Sequence, residues 1–139
     1  MNEPQTFLAD GDTFDALTEA ECRTLLGTRT LGRVGVTSGG LPMILPVQYV
    51  YADNVVTFRT GGGTKLRAAQ SGDVLAFEVD AYDGETGEGW SVLVLGRASV
   101  VSMGPDADGL PSLDVALGDD RTHYVRLHCE LMTGRLLVR

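Results

Sequence analysis

Between positions 90 and 102 the chain reads Trp-Ser-Val-Leu-Val-Leu-Gly-Arg-Ala-Ser-Val-Val-Ser, apolar at most positions and rich in valine. Valine is stiff at its first side-chain torsion and favours the pleated sheet over the helix. A strand that is apolar at consecutive positions has to be covered on both faces. No apolar run approaches the length of a membrane-crossing helix. The remaining chain must therefore wrap around this strand.

The flanking segments read as hairpin partners. Thr18 and Glu21 have capping-box spacing, Leu17, Cys22, Leu25 and Leu26 share a helical face, and Gly27 is a natural stop, so residues 18–27 are predicted to be helical. Residues 31–37 alternate as a strand, Ser38-Gly39-Gly40 is a turn, and residues 43–51 form a second strand. Pro42 and Pro46 place that strand at an edge or bulge. Further strands are predicted at 55–60, 73–80, 90–102 and 123–132, with a short last strand at 136–138. A short helix is predicted at 64–70 and a helical turn at 112–117. Residues 82–89 and 103–111 read as loops. No strand–helix–strand rhythm is present, which argues against a doubly wound sheet and for a mainly β fold, a six-stranded antiparallel barrel with a few short helices.

Charge narrows the partners. Eleven Lys and Arg face 19 Asp and Glu, giving a formal net charge of −8. Nucleic-acid binding needs a basic footprint, which this balance argues against. Residues 1–15 lack the basic and apolar regions of a signal peptide and read as a loose tail of a cytoplasmic protein; residues 16–139 read as a single domain. Cys22 and Cys129 read as buried thiols in a reducing compartment rather than as a disulfide.

Against this acidity the single lysine, Lys65, lies in Thr60-Gly61-Gly62-Gly63-Thr64-Lys65-Leu66. Glycines let backbone N–H groups turn towards an anion, and a lysine adds a point charge suited to phosphate. The segment is not a P-loop, because Leu66 stands where Ser or Thr is required. It fits either a glycine-rich hairpin with a solvated lysine or a phosphate cradle. Arg59, the strand before and the helix after weigh towards the cradle. Residues 45–49, with Pro46 in a strand, fit either an ordinary bulged edge or a backbone edge that reads a planar heterocycle. Trp90 is a core or interface anchor, or the flank of an aromatic ring with Ser91 supplying a hydroxyl.

Taken in order, Gly32-Arg33-Val34-Gly35-Val36, Pro42 with Pro46-Val47-Gln48-Tyr49, Phe58-Arg59-Thr60 with Gly63-Thr64-Lys65-Leu66, and Gly89-Trp90-Ser91-Val92-Leu93-Val94 with Gly96-Arg97-Ala98 resemble the pyridoxamine 5′-phosphate oxidase-like, FMN-binding split-barrel family, in its actinobacterial flavoprotein branch. The resemblance spans residues 17–135. It implies a homodimer of six-stranded split β-barrels with two FMN sites at the subunit interface and oxidoreductase chemistry by hydride transfer at flavin N5 on a small molecule. By position, Arg59, Thr60, Gly63, Thr64 and Lys65 would hold the phosphate. Pro46, Val47, Gln48 and Tyr49 would line the ring edge, and Trp90 and Ser91 would approach from the partner subunit. Thr133-Gly134-Arg135 matches the family's closing element. Arg59 stands where the nitroimidazole-resistance branch has a histidine, and the substrate signature of true vitamin B6 oxidases is missing near the C-terminus. The alternatives are a deazaflavin-dependent reductase of the same fold and a non-catalytic flavin- or haem-binding storage or sensor protein.

Other polar residues read blandly. His123 and His128 project to opposite faces of one strand, which does not suit a metal site. The acidic residues 80–88 lack calcium-loop spacing and read as solvated. No catalytic triad is assembled. Tyr49 is the one candidate proton donor near a ring.

Overall fold

A computed structural model describes residues 13–61, 63–102 and 123–138. The elements are β1 (Thr13–Ala16), α1 (Glu19–Leu26), β2 (Leu31–Ser38), β3 (Leu41–Ala52), β4 (Val55–Thr60), α2 (Thr64–Gln70), β5 (Val74–Asp83), β6 (Glu88–Ser102), β7 (His123–His128) and β8 (Leu131–Val138). Sheet order is β1-β8-β6-β5-β2-β3-β4-β7, and β7 also pairs with β6. The ring from β6 through β5, β2, β3, β4 and β7 back to β6 is thus a closed antiparallel barrel. β8 and β1 extend the sheet from the first half of β6.

The central strand is buried on its inner face alone, with Val92 and Val94 inside and Leu93 41% exposed outside, which differs from the sequence expectation; along its length it changes neighbours. Up to Leu95 it pairs with β8, and from Ala98 it pairs with β7. Gly96 sits at this corner, where a Cβ would collide with the His128 carbonyl oxygen. The facing turn is tied down on two sides. The Glu130 N–H donates to Leu95 O at 3.2 Å and the Cys129 N–H to Asn54 O at 3.0 Å. The Arg97 N–H donates to Glu130 Oε2 at 2.7 Å, and Asn54 Nδ2 to Cys129 O at 3.1 Å.

Alternation fills the barrel, as the pleat requires. Val34 and Val36, Val47 and Tyr49, Val56 and Phe58, Leu75, Phe77 and Val79, Val92 and Val94, and Val125 and Leu127 all point inward and are buried. Gly32 leaves room for the Phe77 ring. Helix α1 starts with the predicted capping box: the Thr18 N–H donates to Glu21 Oε1 at 2.8 Å and the Glu21 N–H to Thr18 Oγ1 at 3.1 Å. Its Cys22 and Leu26 are buried. Helix α2 packs against β2, β5, β6 and β7, with Leu66, Ala68 and Ala69 buried.

Three boundaries differ from the sequence expectation. Residues 13–15 belong to β1, paired with β8, and not to a tail. Residues 82–83 and 88–89 extend β5 and β6, because Asp83 Oδ1 accepts the Glu85 and Thr86 N–H groups and closes a tight turn. The run 123–132 is two strands broken at Cys129–Glu130, and 136–138 are the end of β8. The loop and helical turn expected at 103–117 lie outside the described residues, as do residues 1–12 and Gly62.

Candidate functional site

The barrel wall opens between β3 and β4. Their ladder runs only from Ala52↔Val55 to Tyr49↔Phe58. Beyond it, residues 41–48 pair with β2 alone, and Arg59 and Thr60 pair with β7 alone. The Tyr49 N–H donates to Thr30 O at 2.9 Å on the β2 side. Alternation then turns the Gln48 N–H and C=O and the Pro46 C=O towards the open side. Pro46 has no N–H to leave unpaired there, which explains why a proline suits this strand. The edge offers one donor and two acceptors beside a gap. Val47 and Tyr49 side chains are buried and their backbone groups face β2, so neither residue offers a polar group to the open edge, contrary to the sequence expectation.

Cations gather on the outer surface at the same end of β4. Arg59 pairs with Tyr124, its guanidinium carbon 5.9 Å from that ring centroid. Arg126 pairs with Thr57, which makes it a diagonal neighbour of Arg59 at roughly 7–8 Å between β-carbons. The Nε of Arg126 is buried without a hydrogen-bond partner. A buried donor left unpaired costs about 1–3 kcal/mol, more when charged. Thr60 is buried, and half-buried Thr64 and Lys65 open α2 after Gly63, whose φ is 100°. A left-handed backbone of this kind is the reason for glycine there. Seven residues give α2 a weak dipole, so the side-chain cations carry most of the attraction for an anion. Arg126 was missed by sequence reasoning, since only the β4–β7 register brings it beside Arg59.

Trp90 and Ser91 stand elsewhere. Trp90 pairs with Ala81 and Leu136 near the start of β6. The cationic end adjoins the other terminus of that strand, where Ser102 pairs with His123 and His123 with Thr60. From 90 to 102 is twelve positions, roughly 40 Å of strand at about 3.3 Å per residue, somewhat less in a straight line because β6 bends. Within one chain the two halves of the expected site do not meet.

The Tyr49 side chain corrects one expectation. It is 1% exposed, edge-on to Phe77 at 4.7 Å between centroids, and its hydroxyl donates to Leu26 O at 2.6 Å. Burial pushes its pKa up to about 12. The hydroxyl joins β3 to α1 and does not reach the open edge, so it is no proton donor for a ring there. His128 is exposed and its Nε2 lies 3.4 Å from Ser99 Oγ. Both cysteines are buried free thiols, and burial raises the Cys129 pKa to about 11, which suppresses its thiolate. Among the described residues no group of three His, Cys, Asp or Glu is placed to hold a metal, and no helix is long and apolar enough to cross a membrane.

One carboxylate on the outer face is strongly perturbed. Arg33 Nη1 lies 3.0 Å from Glu78 Oε1 and 3.7 Å from Asp80 Oδ1. Burial, followed by the hydrogen bond and charge of Asp80, raises the Glu78 pKa from 4.5 to about 7 despite Arg33. The folded state thus holds this proton more tightly than the unfolded chain. Its stabilising contribution is complete below about 4.5 and is lost as pH rises through about 7. Melting temperature is expected to fall between about pH 5 and pH 8, and Glu78→Gln to flatten that fall; thermal melts by circular dichroism at matched ionic strength measure both.

Residues 18–136 match the family described as pyridoxamine 5′-phosphate oxidase. An FAD-binding protein from Mycobacterium smegmatis superposes with a TM-score of 0.67 at 34% identity, covering 89% of this chain and 98% of that one. An FAD-binding protein from Mesorhizobium loti superposes with a TM-score of 0.75 at 19% identity, covering 93% and 100%, a likeness of fold alone. Rv0080 of Mycobacterium tuberculosis, an uncharacterised protein, is 38% identical over 87 residues. That match spans 59% of this chain and 57% of the relative.

Proposed function

Since the chain belongs to the pyridoxamine 5′-phosphate oxidase family, we propose that it binds a flavin nucleotide in a site shared by two subunits and acts as an oxidoreductase on a small molecule. The observation that carries this reading is the pair Arg59 and Arg126 at the end of β4 beside the open β3 edge, with Lys65 in the first turn of α2, the next element, in a chain of net charge −8. A phosphate would accept from the buried Arg126 Nε and neutralise the diagonal arginines. Gln48 would present its N–H and C=O, and Pro46 its C=O, to the edge of the flavin ring, while Val47 and Tyr49, expected there from the sequence, face β2 with their backbone groups and hold the edge in place. Thr60, Gly63 and Thr64 would shape the phosphate end. When bound, the flavin supplies the hydride chemistry at N5, and the protein anchors and orients it.

The partner subunit enters for two reasons. Trp90 and Ser91 lie at the far end of β6, so a site containing them and Lys65 needs two chains. The outer face is also apolar. Leu131, Leu95, Ala76, Gly35 and Ile44 form one row across five strands. Ile44 is 75% and Leu131 54% exposed, and Gly35 and Ala76 floor a depression of about 260 Å³ between them. A face of this kind is suited to burial against a second copy.

FMN meets the site with one phosphate. FAD is the second reading: Arg126 adds a third cation to Arg59 and Lys65 that a diphosphate would use, and the 34% identical relative is an FAD-binding protein. A deazaflavin would need a wider basic groove. Titrating purified protein with FMN, FAD and a deazaflavin while following absorbance separates the three. Binding of a deazaflavin alone would overturn the flavin reading. Arg126→Gln is expected to weaken flavin-nucleotide binding about tenfold or more, measured by the same titration. Sharing of the site has its own test. Lys65→Ala and Trp90→Ala homodimers should each bind poorly, whereas their mixed dimer should regain one intact site; no regain on mixing refutes a shared site.

A further inference from the structure

Beside the apolar row of the outer face runs a second row, Thr133, Leu93, Glu78, Arg33 and Pro46. The two rows together hold one acid, Glu78, and one cation, Arg33. On this face Glu78 has Ala76 and Asp80 as neighbours along β5, and Leu93 and Arg33 across the ladders. Its side chain is 32% exposed, so a second copy seated on the rows would take away the water it still has. The Arg33 guanidinium is divided, with Nη1 at 3.0 Å from Glu78 and 3.7 Å from Asp80. One cation therefore serves two carboxylates. The other charges of this face lie beyond Asp80. Arg29 borders Asp80 and Arg33, but its guanidinium carbon is 6.0 Å from the Trp90 ring centroid. Arg135 stands opposite Ser91, two strands and roughly 10 Å from Asp80. On β3, Pro46 and Gln48 bring no charge.

A carboxylate taken out of water without a cation of its own gives way to its protonated form. A second copy brings the same three groups, again one cation to two acids, so it does not supply the missing charge. We propose that two copies joined through this face take up a proton at each Glu78, so that the pair tightens in acid and loosens as pH rises past neutrality. The starting point is set in the single chain, where burial and then Asp80 have already raised the Glu78 pKa to about 7. Pairing raises it further. The proton's contribution to pairing is complete below about 7 and is lost as pH climbs through the higher value of the pair. The proposal rests on the reading above of a flavin site shared by two copies across this face. Flavin retention, which needs both copies, follows the same pH window.

Sedimentation equilibrium of the full chain at about pH 6 and about pH 8.5, at matched ionic strength, tests this. The dissociation constant of the pair is expected to be at least about tenfold larger at the higher pH. Glu78→Gln and Asp80→Asn should each cut that ratio to about threefold or less. The first has no proton to lose, and the second leaves Arg33 wholly to Glu78. Carboxyl-carbon NMR titration reads the same linkage where the pair is too tight to dissociate. Glu78 should keep its proton to a higher pH in the native chain than in Ile44→Glu, which charges an exposed residue of the apolar row and should be monomeric. A native pair whose Glu78 titrates as in that monomer, or a pH ratio that Glu78→Gln leaves intact, overturns the proton linkage while the shared face stands. A native chain that is monomeric at pH 6, or one that stays paired as Ile44→Glu, refutes the face and the proposal with it.

Discussion

Gly96→Ala is expected to cost about 3 kcal/mol or more of stability, a large part of the 5–15 kcal/mol typical of a domain. At Gly96 a Cβ would collide with backbone, the His128 carbonyl oxygen, and not with a side chain that can swing away. The collision falls where β6 leaves β8 for β7, so relieving it means parting the strands that close the barrel. Urea denaturation followed by circular dichroism measures the loss. Gly84→Ala is the control. A Cβ there meets nothing within 4 Å, and its effect should stay within about 0.5 kcal/mol. Similar stability for the two variants would contradict the corner as described.

Lys65→Ala is expected to weaken flavin-nucleotide binding by one to two orders of magnitude. A charge-assisted contact contributes roughly 1.5–3 kcal/mol, and about 1.4 kcal/mol is tenfold. The half-buried lysine follows Gly63 in the first turn of α2, whose first turn carries no acid. Quenching of flavin fluorescence on titration with protein reads the affinity. The loss should shrink as salt rises, because screening weakens the Lys65 contact that only the native protein makes. Unchanged affinity would remove Lys65 from the phosphate end.

What could be read from the chain was local. The capping box of α1 forms from Thr18 and Glu21 alone, three residues apart. Pro46 announced an open strand edge because a missing N–H is a property of the residue itself. The valine-rich run at 90–102 marked a strand, but not burial on both faces: the barrel covers Val92 and Val94, while Leu93 on the outer face is 41% exposed. The bend at Cys129–Glu130 was illegible for the opposite reason. No glycine or proline marks it, and the groups that hold it, Asn54, Leu95 and Arg97, lie 33 to 75 residues away in sequence. The same non-locality hid Arg126 and Arg29. A β-register decides that Arg126 lies beside Arg59, and packing decides that Arg29 lies over Trp90. Tyr49 shows the limit of residue type: a phenol beside an expected ring edge is turned inward by the two-residue period of its strand.

The central claim is a flavin held by its phosphate, and comparing FMN with riboflavin tests it most directly. The two share the ring and the ribityl chain and differ by the phosphate that Arg59, Lys65 and Arg126 would hold. Fluorescence titration of flavin-free protein is predicted to give saturable FMN binding, one per chain, with riboflavin at least about a hundredfold weaker. Equal affinity for both, or no FMN binding by folded protein, would contradict it.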